Sequence, residues 1–218
     1  MKILIIQPFR YGDIMQTQPV IKSIREKFSG CAVHFVADDY FVEILENNGY
    51  IDRLIPFPKM KALADMKYRK AFKQARETIY AFAQELKREN YDYVINFNYT
   101  KSAALIAHMA RALSKTGKLC DASGFETISG EWSKYMLFFT AARRYNPFNI
   151  VDMFYLVAEE ALKLKKGSLV RHPVFFEAGA CDAVKSEEFI KSKGINSSRM
   201  VGIQVGASKS HRMLLNIK

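Results

Sequence analysis

Apolar and polar positions alternate in blocks along the first half of the chain, and the blocks have the lengths of strands and helices. Residues 3–6 (ILII) read as a strand. After a polar turn, Arg10-Tyr11-Gly12-Asp13, the residues Val20, Ile21, Ile24 and Phe28 fall on one helical face, which predicts a helix starting near Asp13. Residues 32–37 (AVHFVA) predict a second strand, 41–45 a short helix, 53–57 (RLIPF) a third strand closed by prolines, and 62–89 a long helix. A fourth strand is expected at 91–97 (YDYVINF) and an alanine-rich helix at 102–113. Strands separated by helices imply a parallel sheet with right-handed crossovers.

Past Leu113 the pattern weakens through a Gly- and Ser-containing stretch to about Pro147, then returns as a helix over about 151–164. Lys165-Lys166-Gly167-Ser168 has the composition of a linker. A helix near 186–193 and a strand at 200–205 (MVGIQV) follow, and the strand runs into Gly206-Ala207-Ser208-Lys209-Ser210-His211-Arg212. One strand and one loop bury too little to stand alone. The expectation is therefore an α/β domain over residues 1–165, followed over 166–218 by a linker and the incomplete start of a second domain.

Composition narrows the class. With 218 residues and 49% hydrophobic content the chain can bury the core of one large domain or two small ones. No stretch approaches the roughly eighteen consecutive apolar residues of a membrane span. The first strand begins without a charged leader and cleavage site, so a cytoplasmic location is expected. Cys31, Cys120 and Cys181 are odd in number, far apart and outside any CxxC, which suggests buried thiols rather than disulfides or zinc ligands. The 33 basic residues against 22 acidic ones give a net charge of +11, which asks for an anionic partner: nucleic acid, a phosphorylated sugar or an anionic lipid surface. No RNP motif, zinc-finger spacing or basic-region heptad supports nucleic acid.

Three places carry candidate chemistry. Asp13 follows the first strand, where ligands of open α/β sheets sit, and is either a helix N-cap or a general base aimed into the cleft. Gly12 suits both roles, since it lets the backbone turn and lets a ligand come close. The loop at 206–212 joins a strand to a prospective helix, with small residues first and Lys209 and Arg212 after. That arrangement is either a solvated turn or a phosphate site built from free amides, a helix dipole and two cations. Residues 59–76 hold Lys59, Lys61, Lys67, Arg69, Lys70, Lys73 and Arg76 among Met60, Leu63, Met66, Tyr68 and Phe72. This run is either a solvated helix face or a surface for anionic headgroups. His34, His108, His172 and His211 show no metal spacing, so no metal is expected. Thr116-Gly117-Lys118 resembles part of a phosphate loop without its upstream glycine. Asn98-Tyr99-Thr100 matches a glycosylation sequon, which carries little meaning without a secretion signal.

Taken together these stretches resemble the bacterial heptosyltransferases of glycosyltransferase family 9. The similar segments are KILIIQPFRYGDIMQTQPVIKSIREKF, YIDRLIPFP, YDYVINFNYTKSAAL, NPFNIVDMFYLV and VGIQVGASKSHRM, which together run through nearly the whole chain. The resemblance implies a GT-B arrangement: an acceptor-binding Rossmann-like domain, here the parallel sheet flanked by helices, and the start of a second Rossmann-like domain for the nucleotide sugar. It implies an inverting transfer of heptose or a related sugar from an ADP-heptose-like donor to an anionic lipid A–Kdo-like acceptor of the lipopolysaccharide inner core. The work would be done without cofactor or metal, at the cytoplasmic face of the inner membrane. Carried over by position, the catalytic base falls on Asp13, an acceptor-side lysine on Lys101, and donor phosphate contacts on Ser208 and Arg212 with Lys209 nearby. Gly12, Lys67, Arg69, Lys70 and Lys73 are assigned to the acceptor side. Asn96 and Asn98-Tyr99 depart from the family's aspartate and Gln-Gly, and Leu214 stands where a tryptophan is usual. A chain holding only the beginning of the donor domain is expected to be inactive by itself. A non-catalytic module that binds an anionic glycolipid is the rival reading.

Overall fold

The computed structural model describes residues 1–58 and 72–196. The chain divides into two compact units, residues 1–177 and 178–218. The first unit contains β1 (Lys2–Ile6), α1 (Tyr11–Lys27), β2 (Ala32–Asp38), a 3-10 turn (Val42–Leu45), β3 (Arg53–Phe57), α2 (Phe72–Arg88) and β4 (Tyr91–Asn96). It continues with α3 (Lys101–Met109), β5 (Ala112–Cys120), β6 (Glu126–Ser129), α4 (Glu131–Ala141) and α5 (Ile150–Ala161). Of the second unit the described residues form α6 (Ala180–Ser192), which buries none of its side chains.

The strands form one sheet in the order β3-β2-β1-β4-β5-β6, parallel except for the antiparallel pair β5–β6. β1 lies between β2 and β4, so both its edges are paired, and with helices packed on both faces Ile3, Leu4, Ile5 and Ile6 are fully buried. Successive side chains of a strand point to opposite faces. Ile3 and Ile5 accordingly join a core with Phe35, Ile95, α1 and α5, while Leu4 and Ile6 join a second core with Val36, Ile55, α2 and α3. The parallel α/β architecture expected from the block pattern is present.

Between Ala110 and Ala142 the fold departs from the expectation. The alanine-rich helix stops at Met109, and β5, β6 and α4 occupy the stretch where the pattern had faded. β5 reads ALSKTGKLC, with Leu113 86% exposed and Lys115 and Lys118 among its nine residues. Neither a two-residue period nor an apolar run marks it. Thr116-Gly117-Lys118 is strand interior rather than a phosphate loop: Gly117 pairs with Asn96, and Lys118 bonds the Tyr99 carbonyl and the Glu126 carboxylate. The amino-terminal part of the expected 62–89 helix and the strand at 200–205 lie outside the described residues.

The segment after α5 is held to the first unit by two α5 side chains. Glu159, 2% exposed, accepts hydrogen bonds from the backbone N–H groups of Gly167 (3.0 Å) and Leu169 (2.9 Å). Tyr155 Oη donates to the Pro19 carbonyl at 2.9 Å, accepts from the His172 N–H at 3.0 Å and lies 3.0 Å from Ser23 Oγ. Pro19 sits inside α1, and its carbonyl also receives Ser23 Oγ–H at 2.9 Å. One buried phenol thus joins α1, α5 and the segment at 172. A Tyr155→Phe substitution keeps the ring and leaves the His172 amide without its acceptor, so a loss of about 1–3 kcal/mol is expected. Urea unfolding measures it.

Candidate functional site

A cavity of about 320 Å³ opens beyond the carboxyl ends of β1 and β4, where the strand order reverses direction. This is the switch point at which open α/β sheets bind ligands. One wall comes from the β1–α1 turn (Gln7, Phe9, Arg10, Asp13), another from the β4–α3 turn (Phe97, Asn98, Tyr99, Thr100), and Met136, Ile150 and Phe154 close the side.

The β1–α1 turn differs from the sequence expectation in one respect. The helix begins at Tyr11, so Asp13 is its third residue, and the N-cap position belongs to Arg10. The N-cap reading of Asp13 is thereby corrected. Arg10 takes φ 73° and ψ 119°, a left-handed backbone that non-glycine residues adopt at a cost of about 1–3 kcal/mol and that clusters at functional sites. Gly12, which looked like the turn residue, is helical, and a Cβ there would meet nothing within 4 Å. Asp13 lines the cavity in the first turn of α1, where the helix dipole favours a carboxylate. Among the described lining residues it is the acidic one.

The opposite wall is built from side-chain amides. Asn96 Nδ2 donates to the Lys118 carbonyl at 2.7 Å, and Asn96 Oδ1 accepts the Asn98 N–H at 3.0 Å. Asn98 Oδ1 accepts the Thr100 N–H at 2.9 Å, and Asn98 Nδ2 donates to Gln7 Oε1 at 2.8 Å. Thr100 then caps α3 by accepting the Ala103 N–H at 3.2 Å. Tyr99 Oη donates to the Ser133 carbonyl at 2.8 Å, and burial pushes this phenol well above its ordinary value, which keeps it a neutral donor. Asp13 is therefore the lining group suited to take up a proton.

Of the other candidates, the described lysines Lys101 and Lys73 do not line this cavity. Lys101 is the first residue of α3, exposed and next to the lining residue Thr100. Lys73 lies on α2, exposed and 4.0 Å from Glu77. Lys67, Arg69, Lys70, Ser208, Lys209 and Arg212 lie outside the described residues. Sequence reasoning passed over Gln7, Asn98 and Thr100 as lining residues. The cluster Asn98-Tyr99-Thr100 just after a strand is the available signal: its match to a sequon carries little meaning, and Asn98-Tyr99 stands where the resembled family has Gln-Gly.

No family model matches the chain. Over 116 residues it is 29% identical to lipopolysaccharide heptosyltransferase 1 of Escherichia coli K12, a match that spans 52% of this chain and 34% of that protein. Its fold matches a family 9 glycosyltransferase from Veillonella parvula with TM-score 0.68 at 18% identity, over 96% of this chain and 55% of that one. Over the part that these matches cover, this chain is similar to the family 9 heptosyltransferases. The heptosyltransferase-like fold also matches the E. coli heptosyltransferase WaaC, solved with ADP, with TM-score 0.59 and 20% identity over 78% of this chain and 50% of WaaC. The heptosyltransferase-like chain thus spans about a third of the curated relative's length and about half of each of these solved structures.

Proposed function

We propose that residues 1–177 form the acceptor-binding half of an inverting glycosyltransferase. It moves a heptose or related sugar from an ADP-sugar to an anionic lipopolysaccharide inner-core acceptor. The observation that carries this reading is Asp13 at the switch-point cavity, the position on which the family's catalytic aspartate falls. The sequence likeness to heptosyltransferase 1 and the donor-type ligand of WaaC, ADP, support the reaction class.

In this reading the acceptor hydroxyl gives its proton to an Asp13 oxygen as its own oxygen attacks the anomeric carbon. The bond to the diphosphate breaks on the opposite face, and the sugar inverts. The logic is that of inverting hydrolysis with a sugar hydroxyl in place of water. Charge grows on the leaving diphosphate, and cations and oriented amides stabilise such charge. Ser208, Lys209 and Arg212 are proposed for that task, and Lys101 for the acceptor side. The primary test is Asp13→Asn. Unchanged turnover would favour the non-catalytic glycolipid-binding module.

The acceptor is a lipid, so the same reading puts the protein at the cytoplasmic membrane surface. The basic stretch at 59–76 supports this: cations near an anionic bilayer contribute about 1 kcal/mol each and are screened by salt. Replacing Lys67, Arg69, Lys70 and Lys73 with glutamine is expected to weaken co-sedimentation with vesicles bearing acceptor lipid. The difference from wild type should shrink as salt rises. Glutamine is helix-compatible, so the fold should survive. Equal binding at low salt would assign these cations to an ordinary solvated surface.

A further inference from the structure

Gln7 is 2% exposed, lines the cavity, and is half satisfied. Its orientation follows from a chain of donors. The Thr100 N–H can only donate, so the Asn98 atom that meets it at 2.9 Å is Oδ1, and Nδ2 is left to face Gln7. Nδ2 can only donate, so the Gln7 atom at 2.8 Å is Oε1. The Gln7 backbone N–H is used by the Val36 carbonyl at 3.3 Å. What remains is the Nε2 amide, two N–H donors that no described residue is recorded as accepting, on a side chain that lines the cavity. A donor that opens onto a cavity without a protein partner is available to an oxygen of a bound molecule.

We propose that Gln7 is a specificity residue of the acceptor site, its Nε2 donating to an oxygen of the acceptor sugar while Asn98 holds the carboxamide in place. The inference rests on the proposed function. A donor and a carboxylate lining one cavity supply the two contacts a sugar diol offers: one oxygen accepts from Gln7, and the neighbouring hydroxyl is directed at Asp13. Fixing both ends is what turns a bound hydroxyl into one positioned for attack. A neutral amide also adds no charge beside Asp13. Asn98 acts through Gln7 and is a positioning residue.

Gln7→Glu separates this role from a structural one. Glutamate keeps an oxygen for Asn98 but replaces the Nε2 donor by an acceptor and adds a negative charge; Gln7→Met, neutral and of similar size, removes both polar ends without adding charge, so the loss of Kdo binding common to the two variants is the readout. The chain of residues 1–218 is titrated with the Kdo monosaccharide as probe, and with glucose as a neutral reference, while the Gln7 side-chain ¹H–¹⁵N signals and the backbone amides of Asn98 and Thr100 are followed. In the wild type, Kdo is expected to shift all three. Both variants should weaken the Asn98 and Thr100 response at least about tenfold, since losing a polar group from a site built for it is costly. Kdo affinity unchanged in Gln7→Glu and Gln7→Met, or a shift at Asn98 and Thr100 with Gln7 Nε2 untouched, would overturn the role of Gln7 and leave the acceptor-site reading standing. No shift anywhere around the cavity would overturn both.

Discussion

Replacing Asp13 with asparagine is expected to lower kcat by at least about a hundredfold, the low end for loss of a general base. The measurement belongs in a transfer-competent polypeptide that includes residues 1–218. Asparagine keeps the size of the side chain and its ability to hydrogen-bond at the third position of α1, and it loses the capacity to accept a proton. Helix stability should change little, because a first-turn carboxylate contributes only about 0.3–1 kcal/mol through the dipole. The loss should fall on kcat and on kcat/KM alike, with the KM for the donor unchanged, the pattern of an interaction made only in the transition state. A variant that turns over like wild type would leave Asp13 as a helix residue and move the chemistry elsewhere.

The second large effect is structural and acts on the opposite wall of the cavity, the one built from Asn96 and Asn98. Gly117 has φ 111°, and a Cβ at that position would sit 2.2 Å from the Asn96 carbonyl oxygen and 2.9 Å from the Asn96 Cβ. The obstacle is backbone of the neighbouring strand, which cannot rotate away. Gly117→Ala should destabilise the fold by at least about 3 kcal/mol, combining left-handed strain with displacement of β4 against β5. Asn96 ends β4 and holds Asn98 through its side chain, so whatever protein folds should also lose order at the cavity. Gly49→Ala is the matched control, since a Cβ there meets nothing within 4 Å and the backbone needs no left-handed angle. Denaturant midpoints of the two variants decide it. A Gly117→Ala protein with the wild-type midpoint would mean that the two strands can part at no cost.

The contrast between Gly117 and Asp13 also marks what the sequence discloses. β1, β2 and β4 carry apolar runs because helices cover both faces of the sheet there, and α1 shows one-sided spacing in Val20, Ile21 and Ile24 because one face lies on that sheet. Those features are properties of consecutive residues, so they can be read in order along the chain. β5 is different: its exposed Leu113 and its two lysines leave no period, and the switch from α3 to β5 occurs within Ala110-Arg111 without glycine or proline. α4, EWSKYMLFFTA, is apolar on several sides and so gives no single face. At the site, Asp13 was legible from its place after the first strand. The amide chain from Gln7 to Asn98 was not, because it joins residues 91 positions apart and rests on geometry rather than spacing. The left-handed backbone of Arg10 was hidden for a related reason, since Gly12 nearby offered the more obvious turn residue.

The phenol that joins α5 to α1 also sets an order of events during synthesis. Tyr155 and its neighbours Met153, Phe154 and Val157 cover the same face of β1 that α1 covers, yet they leave the ribosome long after Pro19 and Ser23. At about 5–20 residues per second, the apolar side of β1 and α1 waits on the order of ten seconds for its lid. During that interval the nascent chain presents Ile3, Ile5, Ile21 and Ile24 to the surrounding solution. β1 and α1 are therefore made early but finished late, and a chaperone that shields newly made apolar segments would find its work there.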